Sequence, residues 1–509
     1  MYYGKVLTKR LWILTFVMAL LLGGLVLASP RLFAQSPDGA GGIVAEKSGA
    51  VPPETRVRQY GNLIGSVLDF VYQQFVDVVD PEILYRGAMK GMLDSLEDPY
   101  SAYLDANMMR DVNDVTKGNF GGVGLSISKP IESTPENPAY AEVASPLEDT
   151  PGWKAGLQTG DIILSVDGQD TQAIGLTAVV ELLRGPAGTP VELVVRRGRN
   201  IEFPVTLVRS MIEVPTVKYG MIGDVGYIRI IEFSRPTAGR VQEALDSFVE
   251  AGYKGLVIDL RNNPGGLITS VVDVADKFID SGVIVYTKSR LKYDSITFTA
   301  NAKKTTVPKG LPTAVLINRG SASASEILSG ALKDYHLAYL VGERTYGKGS
   351  VQKPIPLPNS DGIKITTARY YTPTDTNIDK IGIPPDRELK LLSLSEGDEK
   401  IYMALIKSGK ISEYVKDRED MAAEDITRAA EEFALAYPLE ARLLRRLIRM
   451  EVNRMKPAAL YDLDYDTQLA ASLEIVHNEN FDDLMRNTKT LQDLQEEADL
   501  LAGDGAAAR

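Results

Sequence analysis

The sequence has no cysteine and only two histidines among its 509 residues. The lack of cysteine excludes disulfide bonds, thiol catalysis and cysteine-based zinc sites. His336 and His477 lie far apart in the chain, which argues against a histidine-rich metal site. Two histidines also leave a Ser-His-Asp protease almost nothing to build from. A serine nucleophile in this chain would therefore need another base.

Basic residues are fewer than acidic residues. The chain has 56 Lys and Arg residues against 68 Asp and Glu, a formal net charge of −12. This balance argues against a nucleic-acid partner, which is usually met by a basic domain or stripe. Apolar residues make up 44% and charged residues 24%, both ordinary for a folded protein. The length exceeds one hydrophobic core and predicts about three or four domains.

The N-terminus carries a membrane-insertion signal. Leu11–Ser29 is a run of 19 residues without a charge, and Lys5, Lys9 and Arg10 precede it. The run is about long enough to span a bilayer, yet Val26–Ala28 could serve as a cleavage site. A signal peptide and a retained anchor both remain open. Either alternative exports the rest of the chain, to the periplasm or cell envelope, anchored to the inner membrane if the segment is retained.

A serine-rich run follows the apolar stretch Ala314–Ile317. Gly320–Glu326 holds three serines spaced by alanines, at a point where a strand should end and a helix begin. Such a turn exposes a hydroxyl, and the first helical N–H groups can bind an oxyanion. Lys348, between two glycines, is the candidate base. Serine capping of a helix is the alternative interpretation. The candidate nucleophiles are Ser321, Ser323 and Ser325.

Three segments resemble the signatures of one protease family. Asn318–Ile327, Gly342–Gln352 and Ile258–Gly266 are similar to motifs of the carboxyl-terminal processing, or tail-specific, proteases. The similarity runs in family order from about Val57 to Leu391. It implies a Ser-Lys dyad, no cofactor and no metal ion. It also implies an α/β protease core related to the crotonase-like fold.

The resemblance assigns the site residues. The family's nucleophile and lysine lie 25 residues apart, which selects Ser323 for Lys348, whereas the residues alone admit the other two serines. The implied oxyanion hole combines the N–H of Ala324 with one of the two glycines Gly265–Gly266, and the choice between these glycines stays open. Gln352 is expected either to orient the lysine amine or to be a structural amide.

A second resemblance precedes the core. Gly121–Ile127 and Gly156–Gly168 are similar to segments of a PDZ domain. Amide groups at the glycine-rich loop would hold a peptide carboxylate, while the peptide adds a strand to the sheet. Arg184, at the end of the presumed pocket helix, is expected at an interdomain contact with the core. The expected peptide-binding residues are Val123, Gly124, Leu125, Ile127, Val180 and Leu183.

Strands alternate with helices after the PDZ segment, which predicts an α/β core with largely parallel strands. The predicted strands are Val225–Ile230, Gly255–Leu260, Val283–Thr287, Thr313–Ile317 and Ala338–Val341, and the helices are Thr237–Ala251, Leu267–Ile279 and Ala324–Asp334. Beyond residue 393 the chain is helical and charged. Pro438–Met455 predicts an amphipathic helix. The helix is expected to pack against its own domain or a second subunit, or else to contact a membrane surface or an adaptor.

The predicted fold is multidomain α+β, with a PDZ domain inserted before an α/β crotonase-like protease core and with helical terminal regions. Its segments are a signal peptide or anchor (1–34), a flexible linker (35–54), a helical N-terminal region (55–112), the PDZ domain (117–209), the protease core (210–392), a helical extension (393–502) and a disordered tail (503–509).

The predicted function is an exported serine endopeptidase acting near the C-termini of cell-envelope proteins, gated by its PDZ domain. Expected partners are peptides with free C-termini, an adaptor protein, and a second copy bound through the terminal helices. One alternative is a PDZ scaffold with an inactive core. A penicillin-recognising Ser/Lys enzyme is disfavoured, because such enzymes place the two residues one helical turn apart.

Overall fold

The computed structural model describes residues 53–507 apart from 131–132, 135–137, 148, 159, 199–200, 391–393, 417, 419–420, 454–458 and 479. The predicted membrane-insertion segment and most of the linker lie outside these residues. The chain divides into one unit that ends at Leu84 and another that begins at Tyr85. Among the described residues, no helix has both the length and the apolar character needed to cross a membrane.

The N-terminal region is mostly helical. Both of its first helices begin at a proline, which suits the first helical position because its missing N–H has no intrahelical partner there. None of the described side chains of the first helix is buried. The elements are α1 (Pro53–Gln74), α2 (Pro81–Asp94), β1 (Ala102–Leu104) and α3 (Ala106–Lys117).

The next region is a six-stranded antiparallel sheet in the order β3-β4-β5-β7-β8, with β6 paired to β5. Strand β3 lies at its edge, and β2 and β9 form a separate ribbon that begins and ends the region. The elements are β2 (Asn119–Gly122), β3 (Leu125–Ser128), β4 (Ala141–Pro146), α4 (Pro151–Lys154), β5 (Ile162–Val166), β6 (Gln169–Asp170), α5 (Leu176–Leu183), β7 (Pro190–Arg197), β8 (Ile201–Val208) and β9 (Ser210–Glu213).

A second six-stranded sheet forms the core, in the order β10-β11-β12-β15-β16-β19. All its pairings are parallel except β10 with β11. Every residue of β12 and β15 is buried, as expected for a parallel sheet covered on both faces. Its elements are β10 (Val217–Ile222), β11 (Val225–Ile230), α6 (Thr237–Ala251), β12 (Gly255–Asp259), α7 (Ile268–Ala275), β15 (Thr313–Ile317), α8 (Ala324–Asp334), β16 (Tyr339–Gly342) and β19 (Arg387–Glu388).

The sequence did not predict a third sheet. The strand expected at Val283–Thr287 does not join the parallel sheet but pairs antiparallel with its neighbours in a separate sheet that includes β1. Alternation along the chain gave no sign of this, because the pairing partners lie up to some 260 residues away. The elements are β13 (Val283–Ser289), β14 (Thr297–Thr299), β17 (Ser350–Pro356) and β18 (Gly362–Tyr371), with 3₁₀ turns at Lys292–Asp294 and Ala302–Lys304.

The C-terminal extension is helical. Its first four helices share a hydrophobic cluster of their own, while α13 packs against β12 and β15, and α15 contacts α8. The elements are α9 (Glu396–Ser408), α10 (Lys410–Val415), α11 (Ala423–Ala436), α12 (Ala441–Val452), α13 (Thr467–Val476), α14 (Phe481–Arg486) and α15 (Leu491–Ala507).

The extension contains the predicted amphipathic helix and the predicted disordered tail. The predicted amphipathic helix is α12, and its apolar face is buried in the extension's own cluster. The tail predicted to be disordered from residue 503 is helical as far as Ala507.

Candidate active site

Ser323 occupies a strained turn between β15 and α8. Its backbone has φ 55° and ψ −112°, a conformation that non-glycine residues rarely adopt and that clusters at functional sites. Ser321 and Ser325 are fully buried, and their hydroxyls donate to the carbonyls of Leu260 (2.8 Å) and Asn263 (3.0 Å). Ser323 is only half-buried, and within the described residues its hydroxyl donates to no acceptor. Of the three candidate serines, Ser323 is therefore the one that is partly exposed to solvent.

A buried carboxylate joins this serine turn (residues 318–323) to the loop before β17 (residues 343–349, the lysine loop). Oε2 of Glu326 accepts the backbone N–H groups of Ser323 and Lys348, both at 2.9 Å. Oε1 accepts the Gly347 N–H at 2.7 Å and the Thr345 hydroxyl at 2.5 Å. Burial raises the pKa of Glu326 despite these bonds. Glu326, the third residue of α8, thus binds backbone N–H groups of both the serine turn and the lysine loop.

The Lys348 amine is partly buried and lies over an aromatic ring. Its Nζ is 4.9 Å from the centroid of the Tyr100 ring, and within the described residues it makes no hydrogen bond or ion pair. Burial lowers the pKa of Lys348, and the charge of Lys364 lowers it further, whereas the charges of Glu326 and Asp98 act in the opposite direction. The net effect favours the neutral amine.

Tyr370 also links the two segments. Its hydroxyl donates to the carbonyl oxygens of Lys348 (2.5 Å) and Ser323 (3.2 Å), and burial raises its pKa well above the ordinary value. The Tyr370 hydroxyl therefore bridges the backbone carbonyls of Ser323 and Lys348. No hydrogen bond joins Ser323 Oγ to Lys348 Nζ among the described atoms. Contacts of this kind are often long before substrate binds.

Gln352 does not contact the lysine amine in this structure. It follows a bulge in β17, and its Nε2 donates to Ser350 Oγ (2.9 Å) and Thr366 Oγ1 (3.2 Å). Within the described residues, its Oε1 accepts no hydrogen bond. The carboxamide is therefore held by β17 and β18, with an unused acceptor.

The two glycines of the predicted oxyanion hole occupy different surroundings. A Cβ on Gly265 would lie 2.7 Å from Ser323 Cβ, whereas one on Gly266 would lie 2.0 Å from the carbonyl oxygen of Phe233. The Gly265 N–H donates to Asn263 Oδ1 at 2.9 Å. In the described part of the chain, the N–H groups of Gly266 and Ala324 have no acceptor. Gly265 thus lets its loop approach Ser323 closely. Gly266 supplies a backbone N–H that has no acceptor within the described residues.

Sequence reasoning missed several residues of this site. The Asn263 carbonyl accepts from the Ala322 N–H (3.0 Å) as well as from Ser325, so it fixes the serine turn on both sides of Ser323. Tyr100, between α2 and β1, lies over the Lys348 amine. No local pattern signalled this contact, because the two residues lie far apart along the chain.

The two histidines have partners away from the serine turn. His336 Nδ1 lies 2.7 Å from Thr488 Oγ1, and His477 Nε2 lies 2.8 Å from Asp224 Oδ1. A hydrogen bond and ion pair with Asp224 raise the pKa of His477. Neither ring is bonded to a residue of the serine turn or the lysine loop.

The glycine-rich loop before β3 has the features of a carboxylate cradle. Gly124 has φ 72°, and a Cβ there would lie 2.2 Å from Thr150. The Gly124 carbonyl accepts the Leu147 N–H (2.9 Å), while within the described residues the N–H groups of Val123 and Gly124 have no acceptor. Because β3 is an edge strand, its free side can pair with an added strand.

The remaining predicted peptide-binding residues lie on β3 and α5. Leu125, Ile127 and Leu183 pack in the hydrophobic core of this region, with Leu183 buried, and Val180 is half-buried on α5. These residues therefore pack in the core of the domain, and Leu125 and Ile127 also belong to its edge strand.

Arg184 was expected at a contact with the protease core, and the structure places it against α3 instead. It pairs with Asp111, lies 4.0 Å from Asp114, and its guanidinium is 4.9 Å from the centroid of the Phe120 ring. Glu181, on α5, pairs with Arg110, which also lies on α3. Helix α5 is therefore fastened to the helix that precedes the sheet.

Comparison with known proteins gives matches over most of the chain. The family models that match are Peptidase family S41 over residues 224–389, a PDZ domain over residues 142–197, and the Activating protease CtpB N-terminal domain over residues 47–108. A carboxy-terminal-processing protease of Bartonella bacilliformis is 43% identical over 327 residues, which are 63% of this chain and 73% of that protein. A carboxyl-terminal-processing protease of Synechocystis sp. is 38% identical over 317 residues, 61% of this chain and 72% of that protein.

Among solved structures, a photosystem II D1 C-terminal processing protease is 29% identical, with a TM-score of 0.40, and the match covers 67% of this chain and 87% of that chain. An S41 core preceded by a PDZ domain defines a serine-type peptidase. The chain belongs to the family of carboxyl-terminal processing proteases. The family resemblance and the fold class predicted from the motifs are thereby confirmed.

Proposed function

We propose that this protein is an exported serine endopeptidase that cleaves near the C-termini of cell-envelope proteins, with Ser323 as nucleophile and Lys348 as general base. The observation that carries the assignment is the contrast among the three serines. Ser321 and Ser325 are buried, and their hydroxyls donate to backbone carbonyls. The half-buried Ser323 forms a capping box with Glu326, but within the described residues its hydroxyl donates to no acceptor. Glu326 supports the pairing, because one of its oxygens accepts the N–H groups of both proposed catalytic residues.

The chemistry follows from a neutral lysine. Lys348 takes the proton of Ser323 Oγ as Oγ bonds to the scissile carbonyl carbon, and the carbonyl oxygen becomes an oxyanion. The amide of Ala324 and that of Gly266 are the unused donors for this oxyanion. The C–N bond then breaks, and the lysine ammonium gives its proton to the leaving amine. Water hydrolyses the resulting ester with the same base. Lysine ordinarily titrates near about 10.4, so the lowered pKa of Lys348 makes the neutral base more accessible.

The dyad must close for this chemistry, since a general base works at about 3 Å from its proton donor. Gln352 is the proposed orienting residue. Its Oε1 is available to the lysine amine, while its Nε2 is held by Ser350 and Thr366. Substrate bound between Ser323 and the glycine pair would complete the arrangement.

The PDZ domain is proposed to bind the substrate's C-terminus and to gate cleavage. The N–H groups of Val123, Gly124 and Leu125 would receive the carboxylate, with the peptide paired to β3 and its last side chain near Val180 and Leu183. A peptide biases the enzyme only if it binds one arrangement of the PDZ domain more tightly than another. The Arg184 contact with α3 is a candidate for the arrangement that changes.

Export and self-association complete the proposal. The uncharged run Leu11–Ser29 behind basic residues supports export to the cell envelope. The apolar side chains along α1 support homo-oligomer formation through the terminal helices, because none of that helix's described residues is buried. An adaptor protein is a further proposed partner.

The decisive experiment compares matched serine and lysine variants. Ser323→Ala and Lys348→Ala are expected to abolish cleavage of a peptide with a free C-terminus while melting at the wild-type temperature. Ser321→Ala and Ser325→Ala, the matched controls, should keep measurable activity although they lose a buried hydrogen bond. Full cleavage by the Ser323→Ala protein would refute the assignment.

A second candidate function is a PDZ-based peptide-binding scaffold with an inactive core. The missing hydrogen bond between Ser323 Oγ and Lys348 Nζ favours it. The scaffold would bind C-terminal peptides with equal affinity before and after Ser323→Ala, and the purified wild-type protein would cleave none of them. Detecting an ester intermediate at Ser323 by mass spectrometry would exclude it.

A further inference from the structure

The glycine loop (residues 260–267) is fastened at its start by a buried ion cluster. The Arg261 guanidinium turns back to Asp259, with Nε–Oδ1 at 2.9 Å and Nη2–Oδ2 at 2.6 Å, and the Arg261 N–H also donates to Asp259 Oδ1 at 2.9 Å. Tyr227 donates to Asp259 Oδ2 at 2.8 Å. Only 1% of the Asp259 side chain and 10% of the Arg261 side chain are exposed.

The second carboxylate of this cluster comes from the C-terminal extension. Asp466 Oδ1 and Oδ2 accept Arg261 Nη1 (2.8 Å) and Nη2 (2.6 Å), a bidentate pair. Asp466 Oδ1 also caps α13 through the Leu469 N–H (3.0 Å), and Gln468 Oε1 accepts Arg261 Nη1 at 3.0 Å. Burial acts to raise the pKa of Asp466, but the bonds and charge of Arg261 outweigh it and lower the pKa. The carboxylate is therefore ionised when it holds Arg261.

The residues after Arg261 are bonded to the serine turn. The Asn262 N–H donates to Asn318 Oδ1 at 2.9 Å, and Asn318 Nδ2 donates to Asn262 Oδ1 at 3.0 Å. Asn262 has φ 59°, a strained backbone that such bonds must hold. The next residue, Asn263, fixes both sides of Ser323 through its carbonyl. The two residues that directly follow Arg261 thus make the contacts that hold the serine turn.

We infer that Asp466 is a positioning residue for the protease site: through Arg261 it holds the glycine loop in the register that places the oxyanion donors against Ser323. This inference rests on the proposed function, and it gives the extension a role in catalysis. Asp466 lies outside residues 224–389, the S41 core. A displacement of the loop by about 1 Å is enough to cost a large factor in rate.

The test uses Asp466→Asn in the full-length protein. Asparagine caps a helix as well as aspartate does, so α13 keeps its cap while Arg261 loses one charged acceptor. We expect kcat to fall about tenfold with KM unchanged. The affinity for a peptide aldehyde, whose adduct with Ser323 carries the oxyanion, should fall in parallel. Asp464→Asn is the matched control. It breaks the ion pairs with Arg445 and Arg449 elsewhere in the extension and should leave these constants at wild-type values.

Hydrogen exchange supplies a readout that needs no activity. Asp466→Asn should speed amide exchange in residues 260–266 and 318–325, and Asp464→Asn should not. If the wild type cleaves no peptide, the proposed function fails and the exchange comparison still decides the positioning role. Wild-type kcat and exchange in Asp466→Asn, or equal losses in both variants, would overturn the inference.

Discussion

Two turns of this molecule are proposed to offer amide groups to a negatively charged oxygen, and the structure holds them in different ways. The serine turn is fixed by buried side chains, with Glu326 on one side and Asn263 on the other. The loop at Gly124 is fixed by backbone bonds and by the Thr150 hydroxyl, which donates to the Gly124 carbonyl at 3.2 Å. A turn that must stabilise a transition state needs its donors in place beforehand, whereas a loop that exchanges peptides does not.

The largest expected effect tests the base beside the serine turn. Lys348→Arg should lower kcat by about 100- to 10,000-fold, because arginine stays protonated and cannot accept the serine proton. Peptide cleavage and thermal unfolding are to be measured together, and the melting temperature should stay near wild type. Lys353→Arg, on β17, is the control and should be active. An active Lys348→Arg enzyme would show that another group takes the proton.

The next effect tests how the serine turn is held. Glu326→Gln replaces a carboxylate oxygen by an N–H₂ group that faces N–H donors, so donors of Ser323 or Lys348 lose their acceptor. Each unsatisfied buried donor costs about 1–3 kcal/mol, and both stability and kcat should fall. Thr150→Val at the Gly124 loop should leave kcat for a PDZ-independent short peptide unchanged. The contrast between the two turns fails if both variants behave alike in thermal unfolding and in kcat.

A smaller effect concerns pH. The charge of Lys364 is one cause of the lowered pKa of Lys348, and Tyr100, Glu326 and Asp98 are the other titratable groups that face this amine. Lys364→Gln removes the neighbouring cation, so the pKa of Lys348 should rise. Because the proposed mechanism uses the neutral amine, the rise of kcat/KM with pH should move to higher pH, and activity at neutral pH should drop several-fold. Lys364→Arg keeps the charge, so a shifted profile in that variant would argue against this explanation.

A separate effect concerns the PDZ loop. A peptide with an apolar free C-terminus should be cut faster than its amidated form, by up to about tenfold, which corresponds to about 1.4 kcal/mol of preference. Gly124→Ala should abolish the difference, since φ 72° and the close Thr150 side chain leave no room for a methyl group. Equal rates for both peptides with the wild type, measured below saturation, would reduce the domain to a passive tether.

Local signals predicted the elements that carry the site. The apolar run Thr313–Ile317 and the small residues after it give β15 and α8 with the predicted bounds. Lys348 is flanked by glycines that mark its loop. The choice of Ser323 from three serines needed the family resemblance, because the burial of Ser321 and Ser325 depends on carbonyls of the glycine loop, some 60 residues earlier in the chain.

Long-range contacts account for what the sequence did not reveal. Glu326 looks like an ordinary acidic residue in the first turn of a helix, and three of its four bonds form only when the lysine loop folds onto it. Tyr100 meets Lys348 through the sheet that pairs β1 with β18. The bidentate pair between Arg261 and Asp466 joins residues 205 positions apart, and no periodicity in either segment signals it.

The first residue of α15 is part of the hydrophobic cluster around α8. Leu491 is buried in the cluster that surrounds α8, and its N–H donates to Asp334 Oδ1 at 2.9 Å, at the end of that helix. The cluster therefore lacks one of its side chains until synthesis has passed residue 491. A growing polypeptide on the ribosome carries α8 without this packing partner until then. The same contact makes the finished core sensitive to trimming of the chain from its C-terminal end.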